Sequence, residues 1–283
     1  MKKIIFNNAP PGEPSFSVVN KFISMEEAKV LLDQLVKFDK NIIRSNSIIS
    51  DEGTRVNIVN GDKYYDKLIK NSEPWAKLHN DLFDGEFFKN VFNDNLKLFK
   101  SKGIKATNYI YKASSNDYYR FSNEFKHRLL KKLYRVFYLK YLKFIIQPFI
   151  SKKLIVYPII NIAKSKTGYQ VPIHTDNRYK IFVGLIYLNS IDEEFGGSTL
   201  FHSAKKGNYV EDYKRTPEVK AKTIMKVNPE AGKCVLFINS NDAYHSASTL
   251  KDGIERYFIY FSFGVKKYES IWRTSYNVYD GGE

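Results

Sequence analysis

Two histidines, one aspartate and one arginine carry the chemistry most readable in this chain of 283 residues. His174 and Asp176 stand two residues apart in VPIHTDNRYK; His245 stands in AYHSAS, and Arg256 follows eleven residues later. In an extended strand, residues i and i+2 point to one face, so His174 and Asp176 can face a single ion. Two imidazoles and a carboxylate suit Fe(II). They fill one face of an octahedron and leave the opposite face for exchangeable ligands. An H-x-D pair alone recurs by chance, and the distant histidine after a strand and a turn makes the pattern more specific. A guanidinium such as Arg256 is always charged and can grip a carboxylate with two parallel hydrogen bonds.

Those side chains need a frame, and from residue 153 the sequence reads as strands. LIVY (154–157), 159–162, IFVGLIYL (181–188), GSTLF (197–201), TIMKV (223–227), GKCVLFI (232–238) and RYFIYFSF (256–263) are β-prone. Turn-rich pieces at 164–168, 189–196, 228–231 and 250–253 separate them. Short strands at near-regular spacing predict a jelly roll or barrel. His245 would then come from a strand crossing beside His174.

The first half reads differently. Ile4-Ile5-Phe6 predicts a short strand, and Pro10-Pro11-Gly12 breaks the chain. Ser24-Met25-Glu26-Glu27 has the form of a capping box, and Ala28, Leu31, Leu32, Leu35 and Val36 share one helical face behind it. Residues 44–63 read as loop or hairpin. A second helix starts at Ser72-Glu73-Pro74-Trp75, with proline in the first turn, and a further one is predicted over 86–98. The expected fold class is α+β, a double-stranded β-helix core with supporting N-terminal helices. It forms one catalytic domain over 1–283: a mainly helical region to 150, the core over 151–268 and a tail over 269–283.

Composition bounds the remaining choices. Hydrophobic residues make up 43% and charged residues 27%, as in an ordinary globular protein. No run of about 18 apolar residues suggests a membrane span, and the apolar run after Lys2-Lys3 is too short for a secretory signal, so a cytoplasmic protein is expected. The one cysteine, Cys234, excludes an internal disulfide and a multi-thiolate metal site. The net charge of +15 comes without a zinc-finger, helix-turn-helix or RNA-sheet signature, so no nucleic-acid partner is expected. Residues 121–147, FSNEFKHRLLKKLYRVFYLKYLKFIIQ, combine a helical apolar pattern with a dense basic face. Such a helix can lie on an anionic membrane surface. A helix packed on the sheet with a solvated basic face is the favoured reading.

Five ordered pieces carry a resemblance: TGYQVPIHTDN, GLIYLN, FGGSTLF, PEAGKCVLFINSNDAYHSAS and ERYFIYFSF. Over about 154–265 the chain resembles the 2-oxoglutarate- and Fe(II)-dependent dioxygenase superfamily, in particular its prolyl-4-hydroxylase-like branch. The resemblance implies His174, Asp176 and His245 as the metal-binding catalytic triad. It implies Arg256 for the far carboxylate of 2-oxoglutarate, Tyr187 in support of that carboxylate, and Asn161 and Tyr169 as further cosubstrate-side residues. Implied cofactors are Fe(II), 2-oxoglutarate and O2, with ascorbate as a stimulant. The implied reaction is hydroxylation of an unactivated C–H bond with release of succinate and CO2. Related halogenases carry a small residue where Asp176 stands, so the carboxylate favours hydroxylation.

Substrate readings go less far. His202, just past GGSTLF, and Arg178, beside the metal motif with Lys180, are candidates for substrate contact. A small molecule or a prolyl or amino-acid residue fits as substrate. The alternatives are a cupin-like metal enzyme without 2-oxoglutarate and a non-catalytic module that binds an anionic membrane or partner through 121–147. Neither the substrate nor the oligomeric state is legible in the sequence.

Overall fold

The computed structural model describes residues 3–39, 48–50, 55–104, 109–112, 154–177, 179–204 and 221–265. The basic stretch 121–147, Arg178 and the tail 269–283 lie outside them. Two mostly antiparallel sheets dominate. Twelve strands are described: β1 (Phe16–Val19), β2 (Ile48–Ser50), β3 (Arg55–Val59), β4 (Tyr109–Tyr111), β5 (Leu154–Ser165), β6 (Val171–His174), β7 (Lys180–Tyr187), β8 (Thr199–Ala204), β9 (Ala221–Val227), β10 (Cys234–Ile238), β11 (His245–Ala247) and β12 (Arg256–Gly264). The larger sheet runs β1-β10-β7-β12-β5-β3-β2, with β4 parallel to β5, and the smaller runs β6-β11-β8-β9.

The two faces of the larger sheet bury different things, because side chains alternate along each strand. On one face, Ile160, Ile162, Phe182, Ile186, Phe261 and Phe263 pack against helices α1 (Met25–Asp39), α2 (Lys63–Asn71), α3 (Glu73–Phe83), α4 (Glu86–Asp94) and α5 (Leu96–Ser101). Phe88 lies at the centre of that layer. It stacks on Phe182 at 5.8 Å and Phe92 at 5.5 Å, and meets Phe263 at 5.3 Å. Gly184 is required there, since a Cβ would sit 2.1 Å from the Phe261 ring. On the other face, Ala163, Val183, Leu185, Val235, Phe237 and Phe258 meet Phe201 and Val227 of the smaller sheet. Arg256 and Tyr187 lie on this inner face, and His174 and His245 come from the smaller sheet.

The helix signals work locally. The Ser24 Oγ accepts from Glu27 N at 3.0 Å, and Glu27 Oε2 accepts from Ser24 N at 2.8 Å, which closes the expected capping box. Ser72 caps α3 by accepting from Trp75 N. Ala28, Leu31 and Leu35 are buried as the pattern predicts, whereas Val36 is exposed. The predicted 86–98 helix is two helices broken at Asn95. Its amide donates to the carbonyls of Ile4 and Val91, and its Oδ1 accepts from Phe6 N. That tie holds Ile4 and Phe6 in the core as irregular chain instead of the expected strand. The N-terminal half also supplies sheet: β1 pairs with β10, and the 44–63 region contributes the β2–β3 hairpin, whose β3 pairs with β5. Among the described residues no helix is long and apolar enough to cross a membrane.

Phe88→Ala should destabilise the fold by about 3–5 kcal/mol, the usual cost of emptying a buried aromatic site. Urea unfolding measures this, and a loss under about 1 kcal/mol would show that the helical layer is not packed as described.

Candidate metal centre

β6 and β11 pair antiparallel, and His174 lies directly opposite His245. Directly opposed residues share a face of the sheet, so both imidazoles leave on the same side. Their ring centroids are 4.2 Å apart. Asp176 follows two residues after His174, just past the end of β6. One ligand atom from each of His174, Asp176 and His245 lies within 4.8 Å of the others.

The tautomers fit a cation. His174 Nδ1 lies 2.9 Å from the Pro172 carbonyl, and His245 Nδ1 lies 2.9 Å from the Ala243 carbonyl. A carbonyl only accepts, so each Nδ1 carries the proton and donates it, and each Nε2 carries the lone pair a metal needs. Burial lowers the pKa of both imidazoles, with His245 brought down to about 3 by burial and by neighbouring His174. Neutral imidazole is the ligating form. This His-Asp-His site is suited to Fe(II).

Asp176, whose side chain is 12% exposed, is held as a charged group. Burial alone would raise its pKa, but the Lys180 ammonium and the two histidines outweigh that and hold the carboxyl below its ordinary range. Lys180 Nζ donates to Asp176 Oδ1 at 2.8 Å, and the Tyr260 hydroxyl donates to Oδ2 at 3.0 Å. Lys180 also donates to the Tyr260 oxygen. Each carboxylate oxygen has a second lone pair, so both contacts are compatible with a metal.

A second cationic group lies farther along the inner face. Arg256 is only 1% exposed, and its Nη2 donates to Thr199 Oγ1 at 3.4 Å. Thr199 Oγ1 and the Tyr187 hydroxyl are 2.7 Å apart. The guanidinium carbon lies 4.5 Å from the Phe258 ring centroid and 5.2 Å from that of Tyr187. Among the described residues, no acidic side chain pairs with Arg256 and its Nε has no hydrogen-bond partner. Thr199 and Phe201 are two residues apart on β8, and Phe201 lies opposite His245. That separation corresponds to about 7 Å along a strand.

The other expected site residues divide. Asn161 lies opposite Tyr260 across β5 and β12, so it shares the inner face. Tyr169 is buried and its hydroxyl accepts from Arg55 Nη1 at 3.3 Å. His202 is not brought to the triad. Its Nε2 is 2.8 Å from Ser246 Oγ and its Nδ1 is 3.2 Å from Thr223 Oγ1. Ser246 adjoins His245 and points the opposite way, so His202 lies on the far face of the β8–β11 pair. Gly196 and Gly197 serve a turn, with φ of 78° and 72°. Tyr260, Thr199 and Arg55 join these residues only through the fold. The Arg256-Phe258-Tyr260 alternation along β12 was the available signal for Tyr260.

No protein-family model and no curated protein matches the chain. Solved structures are similar in fold. A prolyl-4-hydroxylase from Pseudomonas putida is 14% identical, with 89% of this chain and 92% of that one covered, at a TM-score of 0.47. A prolyl 4-hydroxylase from Phytophthora capsici is 12% identical over 90% of this chain and 60% of that one, at a TM-score of 0.49. HygX from Streptomyces hygroscopicus, solved with nickel and 2-oxoglutarate bound, is 11% identical over 92% and 86%, at a TM-score of 0.41. These neighbours are prolyl-4-hydroxylases and a protein with 2-oxoglutarate bound.

Two outcomes follow from the geometry. Tyr260→Phe removes a hydrogen bond that orients Asp176, so Fe(II) affinity should fall by about tenfold. Anaerobic metal titration reads this, and an unchanged affinity would make Tyr260 a packing residue only. Burial also lowers the His202 pKa to about 4. The unfolded chain takes up that proton near its usual pKa of about 6.5 and the folded chain does not. Stability of the metal-free protein should therefore fall as pH drops from about 6.5 to 4, and urea midpoints for His202→Gln should show a shallower decline.

Proposed function

We propose that this chain is an Fe(II)- and 2-oxoglutarate-dependent dioxygenase that hydroxylates an unactivated C–H bond of a small molecule or of a prolyl or amino-acid residue. The carrying observation is the pairing of two sites on one inner face. A neutral-His, charged-Asp triad faces inward, and one strand repeat away lies a buried guanidinium with no acidic partner among the described residues. We read the two facing sheets as a double-stranded β-helix, and the chain as a single catalytic domain.

In this reading His174, Asp176 and His245 ligate the metal. The Pro172 and Ala243 carbonyls hold the two imidazoles in the tautomer that presents Nε2. Lys180 and Tyr260 keep the Asp176 carboxylate ionised and oriented. When bound, Fe(II) and 2-oxoglutarate would supply O2-dependent C–H oxidation, with succinate and CO2 released. Arg256 takes the far carboxylate of 2-oxoglutarate, and that pairing would relieve the cost of burying a lone guanidinium. Thr199 and Tyr187 orient the guanidinium and can add hydroxyl contacts. Phe237, whose ring centroid is 4.5 Å from that of His245, and Phe258 give the site apolar walls that exclude water. Asn161 and Tyr169 remain assigned to the cosubstrate side.

Anaerobic addition of Fe(II) and then 2-oxoglutarate should produce a visible charge-transfer band. His174→Ala should abolish it. Arg256→Ala should raise the 2-oxoglutarate needed for half-saturation by at least about tenfold, the loss expected for a charged hydrogen-bonded pair. A wild-type protein that binds Fe(II) but shows no band would favour a cupin-like enzyme without 2-oxoglutarate.

A further inference from the structure

A second arginine faces this site, and the proposed function gives it no work. Arg55 on β3 and Arg256 on β12 both lie opposite Ser165 of β5, one on each side. The three side chains therefore leave one row of the sheet on the same face. Both guanidinium carbons lie over the Phe258 ring, Arg55 at 5.1 Å and Arg256 at 4.5 Å from its centroid. No acidic side chain pairs with either among the described residues. Between them, Ser165 is 0% exposed and its hydroxyl has no hydrogen-bond partner among the described residues. Two like charges flanking a buried, unpartnered hydroxyl make an electropositive row suited to more than one anionic group.

Arg55 is held ready for such a group. Its Nε donates to Asn57 Oδ1 at 2.8 Å and its Nη1 to the Tyr169 hydroxyl at 3.3 Å, both neutral acceptors. Two of five N–H groups are thereby used, and N–H groups remain on both Nη1 and Nη2 as an end-on fork. The plane is steadied by Phe258 and by Tyr169, whose ring centroid lies 5.9 Å from the guanidinium carbon. A fixed planar fork matches the two oxygens of a carboxylate. Arg256 is fully buried, whereas Arg55 is half-exposed, so Arg55 is reachable by a ligand that enters after the cosubstrate.

We infer that Arg55, with Ser165, forms a carboxylate subsite for the primary substrate, which is therefore an acid. This rests on Arg256 being the residue that holds 2-oxoglutarate. The Arg55 fork takes the carboxylate oxygens, Ser165 donates a further hydrogen bond, and the carbon to be oxidised extends from there towards the triad.

The test uses the full chain labelled with 15N-arginine and loaded with Zn(II), a diamagnetic stand-in for iron. The Nε–H signals of Arg55 and Arg256 are assigned by their loss in Arg55→Lys and Arg256→Lys. Saturating 2-oxoglutarate should move the Arg256 signal. Glutarate, added next as the carboxylate probe, should then move the Arg55 signal saturably. Ser165→Ala should weaken glutarate by about fivefold, the worth of one hydrogen bond. Arg55→Lys should leave the 2-oxoglutarate titration within twofold of wild type. If 2-oxoglutarate moves both signals and glutarate moves neither, Arg55 belongs to the cosubstrate clamp and the subsite is refuted. Inorganic phosphate binding more tightly than glutarate would overturn the carboxylate assignment. An Arg256 signal that ignores 2-oxoglutarate would instead overturn the proposed function, whatever glutarate does at Arg55.

Discussion

The pairing of β6 with β11 is the constraint on which the site depends. His174 and His245 are seventy-one residues apart in sequence and become direct neighbours only because this register sets them opposite each other. A shift of one residue would turn one imidazole to the other face of the sheet. The neighbouring strand holds the register: β8 pairs with β11, placing Phe201 opposite His245 and Thr199 opposite Ala247. Phe201 is fully buried against Phe16 and Phe237, so the hydrophobic core that joins the sheets also fixes where the ligands point.

Charge is the second constraint. The inner face is apolar, yet it holds Asp176, Lys180 and Arg256 and presents Arg55 at its edge. Asp176 and Lys180 neutralise each other, and Tyr260 bonds to both. The arginines have only neutral partners among the described residues: a threonine hydroxyl, an asparagine oxygen, a tyrosine hydroxyl and aromatic faces. Burying a charge without an opposite charge is costly. Arg256 is the fully buried one of the two, and the proposed dicarboxylate cosubstrate would supply its missing opposite charge.

Much of the site was legible because its signals are local. The H-x-D spacing, the later histidine, the arginine and the turn-rich gaps between strands are all read without knowing which strands pair. The capping box at Ser24 and the first-turn proline after Ser72 are local in the same way. His202 shows where such reading fails: its position after GGSTLF suggested the pocket, but strand alternation and its bond to Ser246 turn it to the far face. Asn95 is another case. The Asn93-Asp94-Asn95 run weakens the helix locally, and bonds to Ile4 and Phe6 about ninety residues away fix the break at Asn95.

The sequence by itself therefore determined the ligand types, their order and a β-rich second half preceded by helices, because these depend on side-chain chemistry and short-range periodicity. Tertiary structure alone decided that Tyr260 and Lys180 hold Asp176, that Thr199 meets Arg256, and that Arg55, from a stretch read as loop or hairpin, joins Arg256 in one row across β5. Those contacts depend on strand order and register in a sheet assembled from distant segments. Register is set by the packing of the whole core, and no single stretch of residues carries it.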